Sequence, residues 1–173
     1  SSFVKYLHKK YSLNHYTFVG DHKHCHSFRK RYAGMLIGLK NVRIPHSSLE
    51  DITLSENNFN YGDTQALQNE ILKLEQLPEV FICSNDFVAR NVCLALKNMG
   101  KAVPNDALVV GFDNSAEAYS LSPTLTTFSL DPHFLGSEIL RTLIHRIDYK
   151  MIPNRLITIS TDLISRESTE RKN

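Results

Sequence analysis

The stretch EVFICSNDFVARNVCLALKNMGKAVPNDALVVGFD, residues 79–113, settles the fold class. It opens on the short apolar run EVFICS, a strand pattern. Asp86 then starts a segment in which Val88, Val92, Ala95, Leu96 and Met99 share one helical side, and Gly100 is placed to end it. ALVVGF follows as a second continuous apolar run, the pattern of a strand covered on both faces. Strand, helix and strand in this order predict parallel neighbours, because parallel strands need a crossover connection.

The same alternation extends both ways. Residues 3–10 read as a helix and HYTFVG, residues 15–20, as a strand. Phe28, Tyr32, Met35, Leu36 and Leu39 then lie on one helical face, with Ser27 available as its cap. A strand is expected near DITL, residues 51–54. Gly62-Asp63-Thr64 begins a helix with Leu67, Ile71 and Leu74 on its inner stripe, and Pro78 closes that segment. LTTF (125–128) is a further strand, Asp131 and Pro132 open a helix, and RLITIS (155–160) is expected as the last strand before a frayed polar tail. The predicted architecture is α/β: a three-layer, doubly wound parallel sheet with helices on both faces.

At 173 residues with 42% hydrophobic content, the chain has enough apolar material for one real core. No apolar run reaches the roughly 18–20 residues that a membrane span needs. A net charge of +2 gives no basic face for nucleic acid. Cys25, Cys83 and Cys93 are odd in number and form no CxxC pair, which fits a reducing, cytoplasmic setting. No nucleophile elbow, phosphate loop, dinucleotide fingerprint or zinc-protease motif occurs, so a catalytic assignment has no anchor and no cofactor is implied.

In a doubly wound sheet the ligand sits on the loops at the carboxyl ends of the strands. Those loops begin at Gly20, Ser84 and Phe112, and four nearby residues carry useful chemistry. Arg31 offers a planar fork that pairs with hydroxyls or a carboxylate, although Arg29, Lys30 and Arg31 could equally be a solvated face. Asn85 fits both a helix cap and a ligand contact. Asp113 is either an ordinary loop opener or a carboxylate for vicinal sugar hydroxyls. Phe59 is either a core aromatic or a stacking platform. His22, His24 and His26 alternate around Cys25 and could in principle ligate a metal and serve a metal-dependent enzyme; a solvated polar loop explains them as well, and no metal is expected.

The stretch that opened this reading, taken with RKRYAG (29–34), SPTLTTFSLD (122–131), Leu135-Gly136 and LISREST (163–169), resembles the lactose-repressor/galactose-repressor family of bacterial transcription regulators. The likeness runs over nearly the whole chain in the family's order. It implies a lobe like that of type I periplasmic binding proteins, in which a small effector, usually a sugar, is bound without catalysis. It also implies effector contacts at Arg31, Phe59, Asn85 and Asp113, a homodimer, and DNA contact only through a separate helix-turn-helix domain that this chain lacks. Residues 1–173 would then be a partial effector-binding domain, mostly its carboxyl-terminal lobe, with about 125–150 crossing toward an amino-terminal lobe. A periplasmic-type sugar receptor is the alternative with the same fold. Tyr11-Ser12 stand where the family commonly has Gly-His. The apolar stripe Leu135, Ile139, Leu140, Leu143 and Ile147 is expected to lack cover within this chain and to favour association.

Overall fold

The computed structural model describes residues 2–44, 53–55, 59–151 and 153–171. The elements run α1 (Ser2–Tyr11), β1 (Tyr16–Val19), α2 (His26–Asn41), β2 (Thr53–Leu54), α3 (Thr64–Leu72), β3 (Val80–Cys83), α4 (Asp86–Asn98), β4 (Leu108–Phe112), α5 (Glu117–Ser120), β5 (Thr126–Ser129), α6 (Pro132–Asp148) and β6 (Asp162–Ile164), followed by a 3₁₀ turn at Glu167–Thr169. The sheet order is β2-β1-β3-β4-β5-β6. All neighbours are parallel except β5 and β6, where Thr127 faces Ile164 and Ser129 faces Asp162 in an antiparallel pair.

The period of two along each strand divides the interior into two cores. Val80, Leu108 and Val110 point to the side covered by α1 and α2, where they meet Phe3, Leu7, Tyr32, Met35 and Leu39. Phe81, Cys83 and Val109 point the other way, into a core built with Leu67, Ile71, Val88, Val92 and Leu96 of α3 and α4. The three-layer α/β arrangement expected from residues 79–113 is therefore present. Cys83 and Cys93 are buried in the second core, and desolvation pushes both thiols up, Cys93 to about 12.

Local signals work where they supply a specific bond. The Asp63 and Asp131 side chains each accept two backbone N–H bonds at their helix starts, and Pro132 occupies the first turn of α6. Gly100 ends α4 with φ +70°. Of the DITL expectation, Thr53 and Leu54 pair with Phe18 and Val19, while residues 51 and 52 lie outside the described residues.

Three expectations are corrected. Residues 155–160 are not a strand: they are irregular and mostly exposed, because the edge of β5 is taken by 162–164 and the earlier segment has no strand to pair with. The tail is not frayed up to residue 169. Ser168 is fully buried, accepting from Thr126 N–H (2.8 Å) and donating to the Val109 carbonyl (2.6 Å), so it joins β4 to β5. Ser27 does not cap α2; the cap position is Cys25, without a side-chain bond, and the Ser27 hydroxyl turns to the Cys25 sulfur at 3.0 Å. The expected helix start at Asp86 holds: it is the first residue of α4, with Asn85 as the cap.

The helix α6 contains no buried residue. Of the apolar stripe seen in the sequence, Ile139, Leu140, Leu143 and Ile147 are more than half exposed and Leu135 is partly buried, and Ile144 beside them is half exposed, so most of the stripe lacks cover among the described residues.

Ser12 adopts φ +56° just after α1 while its N–H bonds to the His8 carbonyl at 2.8 Å. A side chain in this region costs about 1–2 kcal/mol, partly offset by the greater unfolded-state freedom of glycine. Ser12→Gly is expected to stabilise the protein by about 0.5–1 kcal/mol in urea unfolding. Ser168→Ala, which orphans both of its backbone partners, should destabilise it by about 1–3 kcal/mol in the same experiment.

Candidate functional site

The parallel strands β1, β3 and β4 end together, and their carboxyl ends deliver Gly20, Ser84 and Asp113 to one edge of the sheet. Gly20 is needed there: it has φ +156°, and a Cβ would collide with the Ser84 side chain. Ser84 itself is fully buried, and its hydroxyl has no hydrogen-bond partner.

Above this edge, α2 brings Arg31 across from a distant part of the chain. Its guanidinium donates to the Ser84 carbonyl and to Asp113 Oδ1, the latter at 2.9 Å. Its face lies 3.6 Å from the centre of the Phe112 ring, a cation–π contact. Three fixed partners in three directions hold a side chain that is otherwise rich in rotamers. Asp113 remains about half exposed, so the ion pair reaches solvent on the carboxylate side. A cavity of about 480 Å³ opens beside the pair, with Lys30, Met35, Ile82, Phe112 and Phe128 among its walls.

Phe112 follows from the strand period. It shares the side of Val110, which faces α2, and its ring stacks with Phe128 at 5.4 Å. Phe112 is not among the residues that the sequence singles out by chemistry; the alternation along ALVVGF is the signal that places it on this side.

The four residues singled out from sequence are not all gathered in one contact. Arg31 and Asp113 are directly bonded. Asn85 follows the Ser84 carbonyl that receives Arg31, and its own Oδ1 accepts the Val88 N–H at 2.9 Å, so the cap reading is realised. Phe59 is half-buried against the α3/α4 core, with its ring edge-on to Tyr61 at 5.3 Å. It is not among the walls of the cavity beside Arg31, whose aromatic sides come from Phe3, Phe112 and Phe128.

The histidine loop divides rather than converges. His22 stacks on Tyr32 at 4.6 Å and His24 leans on Phe28 at 5.5 Å. Among the described residues no three histidine, cysteine or carboxylate side chains are placed to hold a metal ion. Cys25, at the start of α2, has its thiol pulled below the ordinary range by the Ser27 hydroxyl and by the Phe28 N–H.

A supporting layer lies under Asp113. Asp113 and Asn114 have φ of +103° and +52°. Behind them, the fully buried Asp86 carboxylate accepts from Thr127 Oγ1 at 2.7 Å and from the Ser115 N–H at 2.8 Å. Burial pushes its pKa up, and these hydrogen bonds pull it back. Arg166 donates to Asn114 Oδ1 at 2.7 Å and stacks over Tyr119 at 4.3 Å. Nothing in the residue types alone pointed to these partners, since they meet from four separate segments.

The Arg31–Asp113 pair thus stands at the parallel strand ends beside an aromatic-walled cavity. The family model for the periplasmic binding protein-like domain matches residues 4–169. The chain is 30% identical over 143 residues to the HTH-type transcriptional repressor PurR of Mannheimia succiniciproducens, a match covering 83% of this chain and 42% of that protein. Its fold superposes with a TM-score of 0.85 on a LacI transcriptional regulator structure from Bacillus cereus subsp. cytotoxis, at 25% identity over 98% of this chain and 58% of the other. A complex of the transcriptional regulator CelR with cellobiose shares the fold at a TM-score of 0.83 and 21% identity, over 95% of this chain and 49% of that one. The chain thus spans less than half the length of the repressor it matches. It belongs to the periplasmic binding protein-like domain family and, within it, is an effector-binding domain of the lactose-repressor/galactose-repressor type.

Proposed function

We propose that this chain is the ligand-sensing part of a bacterial transcriptional repressor and that its effector is a sugar or sugar derivative held at Arg31 and Asp113. The observation that carries the reading is the fixed guanidinium. With Asp113, Ser84 and Phe112 setting its plane, Arg31 stands in the cavity wall and carries more N–H groups than those two bonds use. Asp113 gives one oxygen to Arg31 and, among the described residues, has its second oxygen for a ligand hydroxyl. Arg31 and Asp113 offset each other and place donors and an acceptor side by side, which suits a polyhydroxy ligand, while Lys30 on the cavity wall adds a further cation for a sugar derivative. Asn85 follows Ser84, whose carbonyl accepts from Arg31, and Phe59 packs against the α3/α4 core; both are proposed as further contacts, Phe59 by stacking.

The proposed protein is cytoplasmic and a homodimer, and it touches DNA through a helix-turn-helix domain outside this chain. It acts as a binding module rather than an enzyme. A ligand that prefers one arrangement of two lobes shifts the DNA-binding state by the difference in its affinities. The uncovered α6 and the irregular 153–161 segment are the part of the chain that such a second lobe would meet. The relatives named above are repressors and regulators, which favours this reading over a periplasmic receptor. Among the described residues, no helix is long and apolar enough to cross a membrane.

The test is a thermal-shift screen of the full-length protein against sugars including cellobiose, sugar phosphates and nucleobases. Binding raises the melting temperature by mass action, with about 2.7 kcal/mol gained at a hundredfold excess over Kd. A sugar-class response is expected in the native protein, and Asp113→Ala should weaken binding at least tenfold. Arg31→Lys should do the same although it keeps the charge, because an ammonium can neither stack on Phe112 nor bridge two oxygens in one plane. A response confined to nucleobases, or one that survives both substitutions, overturns the assignment.

A further inference from the structure

We infer that Asp86 is the positioning residue of the cleft: its buried carboxylate holds the Asp113–Ser115 loop in the conformation that delivers the Asp113 side chain to Arg31. The inference deepens the effector reading and rests on it for the ligand's use of Asp113, but its geometry stands independently.

The loop needs holding. Two successive residues with side chains lie in the left-handed region, at φ +103° and +52°, a combination that persists only where the surroundings determine it. Three consecutive N–H groups are tied down. That of Asp113 reaches the Phe128 carbonyl at 2.8 Å, that of Asn114 reaches Thr127 Oγ1 at 3.3 Å, and that of Ser115 reaches Asp86 Oδ2 at 2.8 Å. The second of these depends on Asp86 as well. Thr127 gives its proton to Asp86 Oδ1 at 2.7 Å, which leaves its oxygen turned toward the Asn114 N–H as acceptor. Two of the three ties therefore run through one carboxylate.

The surroundings are shaped around that carboxylate. Gly111 has no room for a Cβ, because Asp86 Oδ1 occupies the place where it would stand. The cap of α4 is supplied by Asn85, so the carboxylate is not consumed in starting its helix. Its two close partners are both donors, the Thr127 hydroxyl and the Ser115 N–H, while the Ser115 hydroxyl at 3.3 Å gives its proton to Glu117 Oε2 at 2.6 Å. An amide of the same shape keeps one acceptor and points N–H groups at donors, so Asp86→Asn reverses part of the pattern while leaving the volume unchanged.

Hydrogen exchange read by mass spectrometry on the full-length protein tests this without any ligand. In Asp86→Asn, exchange in a peptide covering residues 112–117 is expected to speed up at least tenfold relative to peptides covering β3 and the body of α4. Thr127→Val, which removes the relay but keeps the shape, should give the same local change and provides the test if Asp86→Asn does not fold. A uniform acceleration across all peptides assigns Asp86 to general stability and overturns the proposal, as does unchanged exchange in residues 112–117. A failed ligand screen would count against the effector reading alone, because the exchange pattern contains no ligand.

Discussion

Everything in this molecule hangs on the pairing of β3 with β4 across the α4 crossover. Val80, Phe81 and Ile82 lie beside Leu108, Val109 and Val110 in parallel register, and both faces of this pair are sealed by helices. Such strands have no solvent side, so every residue in them must be apolar or have a matched partner. One physical result is the division into two cores on alternate residues. Another is that β3 and β4 carry no charged or hydroxyl side chain, and the polar groups described above begin at their carboxyl ends. Ser84 and Asp113 are the first residues on either strand that are released from the sheet's apolar requirement, and Arg31 reaches both.

That division explains what the sequence displayed. Continuous apolar runs at 80–83 and 108–112 and the stripe Val88, Val92, Ala95, Leu96 identify a buried parallel unit from residue types alone, because burial on both faces leaves no other composition. Caps at Asp63 and Asp131 were readable for a similar reason, since each is a local bond between neighbours in sequence. RLITIS misled because its alternating aliphatic residues satisfy the strand pattern, whereas strand formation also needs an edge, and β5 pairs instead with the less apolar DLI segment. Ser168 misled in the opposite direction: a polar residue near a chain end looks solvated until a carbonyl of β4 and an N–H of β5 are found to need it.

The candidate site was legible in part. Arg31 and Asp113 could be chosen because their chemistry and their places at strand-to-helix loops agreed, and they are bonded in the fold. Phe59 carried the same kind of argument, yet its ring packs toward Tyr61 and the α3/α4 core rather than beside the guanidinium. The supporting residues Asp86, Ser115, Thr127 and Arg166 were out of reach. Each is an ordinary polar residue in its own segment, and its significance arises from partners 29 to 52 positions away.

The Ser168 link also bears on how the chain is made. Its hydroxyl bonds to a carbonyl 59 residues earlier, in a central strand. At translation rates of roughly 5–20 residues per second, β4 waits roughly 3–12 s for this serine to be synthesised. During that interval the Val109 carbonyl and the Thr126 N–H lack their native partner at the middle of the sheet. The backbone register of β4 and β5 can form as soon as residue 128 is made, but the side-chain clasp across that seam is added only once residue 168 follows.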